Sequence, residues 1–289
     1  MDLCRRFADD PAVAEIVGSE PAWDAPLRLL GGLHFLVLAG EASWDDPVDE
    51  HADFLRDFVR TQSVQTNEVQ RSWVLLPCFL RAAELLGVDE LDVVELGPSA
   101  GLNLVWDRYG YAYAEGEWGP DGTPLRLSGR EESRVPDRLL ARAPRVTRRV
   151  GIDRAPVDVT TEDGARLLEC FLWAGQEERM KRLACAIDVV RANPPRLVRG
   201  DLADELPSVL EDRPTLVFQT AVFPYLSDET RSAVRAALEH APAPVAFVTA
   251  GRPRGREHGW GMRIELYPAA TREFVGHADF HGAWLDYSL

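Results

Sequence analysis

Apolar and polar positions change their spacing once along the chain, near residue 90. Before it, "APLRLLGGLHFLVLAGEA" carries apolar residues at helical spacing, and "DEHADFLRDFVRTQ" places Phe54, Leu55, Phe58 and Val59 on one face. "TNEVQRSWVLLPCFLRAAELLG" predicts a further helix, with Thr66 or Asn67 as N-cap, Gly87 as C-terminal cap and Pro77 as a kink or break. No strand-like alternation occurs in this block, so residues 1–88 are expected to form a helical N-terminal segment.

From Leu91 the pattern is different. "LDVVEL" is a short β-branched run that enters a glycine-rich turn, and "GLNLVWDRYG" predicts the helix that follows. Residues 109–135 alternate apolar and polar positions around Pro120-Asp121-Gly122, which predicts an inserted β-hairpin. Strands are then expected in "RRVGIDRAPVDV", "RLVRGDL", "TLVFQT", "PVAFVTAG", "MRIELYP" and "REFVGHADFHGAWLDYSL", with amphipathic helices between the earlier ones. Strands alternating with helices predict an α/β domain over residues 89–289, with a mostly parallel sheet and an antiparallel last strand.

The 289 residues are enough for one large domain or a domain with a sub-domain. A formal charge of −15 disfavours nucleic acid or an anionic membrane as the main partner, because phosphate needs a cationic surface. No apolar run approaches the roughly 18 residues of a membrane span, and no secretory leader is evident. Cys4, Cys78, Cys170 and Cys185 are scattered without a C-x-x-C pair. They predict reduced thiols in a cytoplasmic protein.

Candidate chemistry centres on Gly97-Pro98-Ser99-Ala100-Gly101. As G-x-S-x-G it matches a nucleophile elbow with Ser99 as attacking oxygen, and His277 and His281 follow in the order of a serine hydrolase. That reading requires strands laid down before the serine, where residues 1–88 offer helices only. As the turn after a first strand, the same residues form a backbone cradle shaped by Glu95, Gly97 and Gly101. Polar residues then fall where successive strands end: Asp153, Asp201 and Gln219-Thr220. Ligands of open α/β sheets bind at those ends, and a carboxylate there can accept two ribose hydroxyls.

This arrangement resembles class I S-adenosylmethionine-dependent methyltransferases over roughly residues 91–289. The resemblance implies a Rossmann-like fold with S-adenosylmethionine as cofactor. Glu95, Gly97, Ser99 and Gly101 would surround its methionine part, with Asp153 on the ribose, Asp201 facing the adenine amine and Gln219-Thr220 beside the sulfonium. Two departures stand out. Ser99 occupies the middle glycine position beside Pro98, and Asp153 lies more than fifty positions after Gly101, where about 20 is usual. The whole chain also resembles an uncharacterised bacterial family catalogued as domain of unknown function 2332, through "QTNEVQR", "ELGPSAGLNL" and "DRYGY".

Further candidates surround that loop. Asn67 and Arg71 are placed to meet the methionine carboxylate or the substrate, and Asn103 to face the ligand. Asp107-Arg108 reads as an ion pair closing the first helix, and Tyr109, Tyr111, Tyr113 and Trp118 as packing or as a pocket wall. On one strand, His277, Asp279 and His281 would share a face; without a further ligand at motif spacing no metal is assigned. Tyr225, His277 or His281 is the candidate general base. The expected reaction is methyl transfer to a small-molecule acceptor. The alternatives are a serine hydrolase using Ser99 and a non-catalytic, methyltransferase-like binding protein.

Overall fold

The chain divides into two compact units, one formed by Met1–Asn67 with Asp158–Lys181 and the other by Glu68–Val157 with Arg182–Leu289. The structure, a computed structural model, describes all residues except 1–4, 6, 9, 19–20, 66–67, 174 and 254. The first unit is helical. Helices α1 (Pro11–Val17), α2 (Ala25–Ala39) and α3 (Ala52–Thr61) enclose a core that includes Ile16, Leu29, Leu33, Leu55 and Val59.

The second unit opens with α4 (Arg71–Leu86), which runs through Pro77 as one helix and ends at Gly87 in the left-handed conformation. Proline lacks the N–H that would bond to the carbonyl four residues back, so the Trp73 carbonyl loses its helical donor. The Tyr113 hydroxyl supplies the replacement at 2.5 Å. The helix starts at Arg71 with Gln70 before it. The expected caps, Thr66 and Asn67, lie outside the described residues.

Strand β1 (Glu90–Leu96) is buried at every position from Leu91 onward, the acidic Asp92 and Glu95 included, as in a strand covered on both faces. It lies inside a nine-stranded sheet of order β5-β12-β11-β10-β9-β8-β1-β6-β7. The strands are β5 (Arg130–Ser133), β6 (Arg145–Asp153), β7 (Arg196–Arg199), β8 (Thr215–Thr220), β9 (Val245–Gly251), β10 (Trp260–Tyr267), β11 (Thr271–Ala278) and β12 (Trp284–Tyr287). Neighbours from β7 to β9 run parallel. Helices α5 (Leu202–Val209) and α6 (Asp228–Glu239) cover one face over Val94, Val150, Val217 and Phe247.

The antiparallel part is longer than a single closing strand. β9 to β12 pair antiparallel in succession, and β12 then pairs parallel with β5. The connections explain this, because the few residues between β10 and β11 cannot make the dozen-residue crossover a parallel return needs. The segment 272–289, expected as one strand, is two. Asp279 folds the intervening turn by accepting the amide hydrogens of His281 and Ala283 on Oδ2, at 2.8 and 3.2 Å. His281 therefore lies in a turn and does not share a strand face with His277.

Two further expectations are corrected. After the glycine-rich turn comes a six-residue 3₁₀ segment, Asn103–Arg108, in place of a helix. Its apolar residues Leu104, Val105 and Trp106, and Leu102 before it, are all buried, without the stripe that seats an amphipathic helix. The insert forms a separate sheet of β2 (Gly110–Tyr113), β3 (Gly116–Trp118) and β4 (Arg126–Ser128), in the order β3-β2-β4. The hairpin turns at Ala114-Glu115, and Pro120-Asp121-Gly122 belongs to the link that carries the chain to β4, parallel to β2.

Candidate functional site

From β1 the chain proceeds to β6 and β7 on one side, whereas β8 leads to β9 on the other. The loops after β1 and β8 therefore part, which is the topological switch point where open α/β sheets bind ligands. The loop after β1 is left-handed at three positions, with φ of 74° at Gly97, 53° at Ser99 and 74° at Gly101. A Cβ on Gly97 would sit 2.9 Å from Val222 Cγ2, and one on Gly101 2.8 Å from Pro195 Cγ. Both positions thus require glycine for conformation and for space.

Ser99 holds this conformation without being glycine, and Asp153 explains how. The Ser99 amide donates to Asp153 Oδ2 at 2.9 Å, and the Ala155 amide donates to Oδ1 at 2.9 Å. The carboxylate at the end of β6 so fixes the loop after β1 to its own turn. Each oxygen keeps a lone pair for a further donor.

Glu95 lies at the end of β1, only 2% exposed, and its Oε2 is buried without a hydrogen-bond partner. Burial, and secondarily the negative charge of Asp153, push its carboxyl up to about 8; Arg71 acts in the opposite direction. Arg71, the first residue of α4, donates from Nε to the Phe280 carbonyl at 3.0 Å and lies over the Trp260 ring at 5.0 Å. The next residue, Ser72, donates to Asn103 Oδ1 at 2.7 Å, so the buried Asn103 is tied to the start of α4. Ser72 carries no motif signal and was not among the expected site residues.

The other candidates occupy more structural places. Asp201 caps α5 through the Ala203 amide at 2.9 Å and pairs with Arg154 at 2.5 Å. Arg154 chiefly, then the amide, hold its carboxyl below the usual range. Gln219 is buried, donating to the Ala250 carbonyl at 3.0 Å and accepting from Val222 and Phe223 at 3.2 and 3.4 Å. Thr220 ends β8 beside the left-handed Ala221 (φ 64°). Tyr225 follows in a 3₁₀ turn, 76% exposed. Asn67 lies outside the described residues.

His277 pairs in register with Gly261, next to Met262, whose sulfur meets Cys78 of α4 at 3.8 Å. Strand alternation puts His277 on the face away from α4. It contacts Phe274 there, with Asp286 3.9 Å from Nδ1. Glu95 shares its row with Phe218, which packs on Phe79 of α4. Glu95 and His277 thus face opposite sides of the sheet. His281 adjoins Phe280, the acceptor of Arg71. No group of three or more metal-ligating side chains occurs among the described residues.

The insert aromatics are packing residues. Tyr109 and Tyr111 donate to the Leu102 and Trp106 carbonyls at 2.7 Å, and Tyr113 serves Trp73. Trp118 lines a cleft of about 450 Å³, beside Asp107 and Leu140. Asp107 pairs most closely with Arg149, at 2.5 Å, and lies 3.8 Å from its sequence neighbour Arg108. The partner from β6 thus lies closer to Asp107 than its neighbour in sequence does.

A family model described as "Uncharacterized protein conserved in bacteria (DUF2332)" matches residues 1–287. The chain belongs to the DUF2332 family. No curated protein and no solved structure matches it. In this DUF2332 chain no described helix is long and apolar enough to cross a membrane.

Proposed function

We propose that this protein is a Rossmann-like methyltransferase that binds S-adenosylmethionine at the C-terminal ends of β1 and β6 and transfers its methyl group to a small acceptor. The observation that carries the reading is Glu95: a buried carboxyl with an unpartnered oxygen, beneath a loop that only glycine can build at Gly97 and Gly101. An amino-acid ammonium group matches the first feature, and a ligand lying close against backbone matches the second. The donor set therefore fits the methionine end of the cofactor.

Glu95 would receive the ammonium group, Arg71 and Asn103 would flank it, and Asp153 would accept ribose hydroxyls on its remaining lone pairs. Asp201 would face the adenine amine, and Gln219, which orders the β8 loop, would let Thr220 sit beside the sulfonium. When bound, the cofactor supplies an activated methyl group on a sulfonium leaving group. The protein's part is to align the acceptor and exclude water. Tyr225 and His281 are the candidates to take a proton from the acceptor. The net charge of −15 favours a small acceptor over nucleic acid and accords with a cytoplasmic protein.

Ser99 has one feature in favour of the hydrolase, its left-handed backbone (φ 53°) in a G-x-S-x-G turn. Against it, no strand precedes β1 among the described residues, and a 3₁₀ segment follows the turn. Equilibrium dialysis with methyl-labelled S-adenosylmethionine tests the proposal, together with a fluorophosphonate probe. Saturable micromolar binding without Ser99 labelling is expected. Labelling of Ser99 with no cofactor bound would replace this reading with the hydrolase.

A further inference from the structure

Glu95 is packed by charged and titratable groups from three directions. Asp153, at the end of β6, accepts amide hydrogens on both oxygens and adds negative charge. Arg71, at the start of α4, adds positive charge, with its Nε engaged by the Phe280 carbonyl. Tyr109, after the 3₁₀ segment, is buried, with its hydroxyl donated to the Leu102 carbonyl. An ionised carboxylate offers only acceptors, and a buried one with an oxygen unpartnered is much costlier than the neutral acid. A second carboxylate close by opposes ionisation further.

We propose that Glu95 is neutral in the free protein and releases its proton to solvent as a ligand's ammonium group enters beside it, so that binding at this site is coupled to pH. The coupling rests on the reading of this loop as the methionine end of the cofactor site and adds its regulation. In the exchange the Glu95 O–H bond breaks, its electron pair stays on the carboxylate, and the proton passes to a buffer base. The ammonium group keeps its protons and supplies the charge and the donors that Oε2 lacks. The upward displacement of Glu95, caused first by burial, agrees with this geometry.

The test is calorimetric titration of the full chain with S-adenosylhomocysteine between pH 5.5 and 6.5, below the range where an α-ammonium titrates, about 7.7. It is run in two buffers of different ionisation enthalpy. The wild type is expected to release about one proton, with affinity rising about tenfold per pH unit. Glu95→Gln is expected to bind more weakly, without that release and with an affinity that does not change with pH over this range. Infrared difference spectra of the wild type provide a second readout, through loss of a carboxylic acid C=O band on binding. Binding with buffer-independent enthalpy, pH-independent affinity and no change in that band overturns the proton exchange and leaves the cofactor reading standing. No binding at millimolar ligand overturns both.

Discussion

The amide of Ser99 donates to Asp153 Oδ2 at 2.9 Å, joining the loop after the first strand to the end of its neighbour in the sheet. Fifty-odd residues of insert and strand separate the two positions, yet this bond holds the site's only non-glycine left-handed loop residue after β1. Replacing Asp153 by Ala removes acceptors from two amides, of Ser99 and Ala155. The expected cost is about 2–4 kcal/mol of stability, with S-adenosylhomocysteine affinity reduced at least about tenfold. Urea melts and calorimetry measure the two effects.

Ser99→Gly separates the two readings of the loop. Glycine relieves a left-handed conformation costing about 1–2 kcal/mol, against about 0.5–1 kcal/mol of added unfolded-state entropy. The variant should be close to wild type in stability and should retain cofactor affinity. A serine hydrolase would lose all turnover with the same change.

Gly101→Ala is expected to behave oppositely. Its φ of 74° and the 2.8 Å approach of Pro195 Cγ leave no room for a methyl group. Strain and overpacking together predict a loss of about 2–4 kcal/mol. Thermal melts of the variant check this, and an unchanged melting temperature would contradict the loop geometry.

Glu95 makes stability depend on pH with a definite sign. Its carboxyl is held at about 8 in the folded chain, above the ordinary 4.5 of an exposed glutamate, so between these values the native state binds the extra proton. Its stabilising effect is complete below about 4.5 and is lost as pH rises through 8. The total is on the order of 4–5 kcal/mol. Glu95→Gln should match the wild type near pH 5 and exceed its stability increasingly toward pH 8, as read from urea midpoints at each pH.

Tyr113→Phe removes the donor that replaces the one Pro77 cannot give to the Trp73 carbonyl. A buried acceptor is then left unpaired, which predicts a loss of about 1–3 kcal/mol. Restoring the helical N–H with a second change, Pro77→Ala, should recover part of it. The double-mutant cycle measures that coupling.

Much of the fold was legible because burial writes itself into pattern. The short strand Leu91–Leu96 and the strand ends at Asp153 and Thr220 follow from it directly. Turn chemistry was read less well: "ADFHG" carries an Asp and a Gly, but an unbroken strand was expected across it, and His281 was misplaced with it. The 3₁₀ segment was hidden because Leu102, Leu104, Val105 and Trp106 are apolar on every side, which periodicity cannot distinguish from a buried helix. Residues Glu95, Gly97, Ser99, Gly101 and Asp153 were legible as a group. The bonds Ser72–Asn103 and Tyr113–Trp73 were not, since each joins distant segments through one side chain.

Binding of S-adenosylhomocysteine to the purified full chain at pH 7.5, by calorimetric titration, tests the central claim most directly. The structure of the loop between Gly97 and Gly101 and the buried Glu95 beneath it lead us to expect one site per chain with micromolar affinity, weakened at least about tenfold in Asp153→Ala. Absence of binding at millimolar ligand would contradict the account.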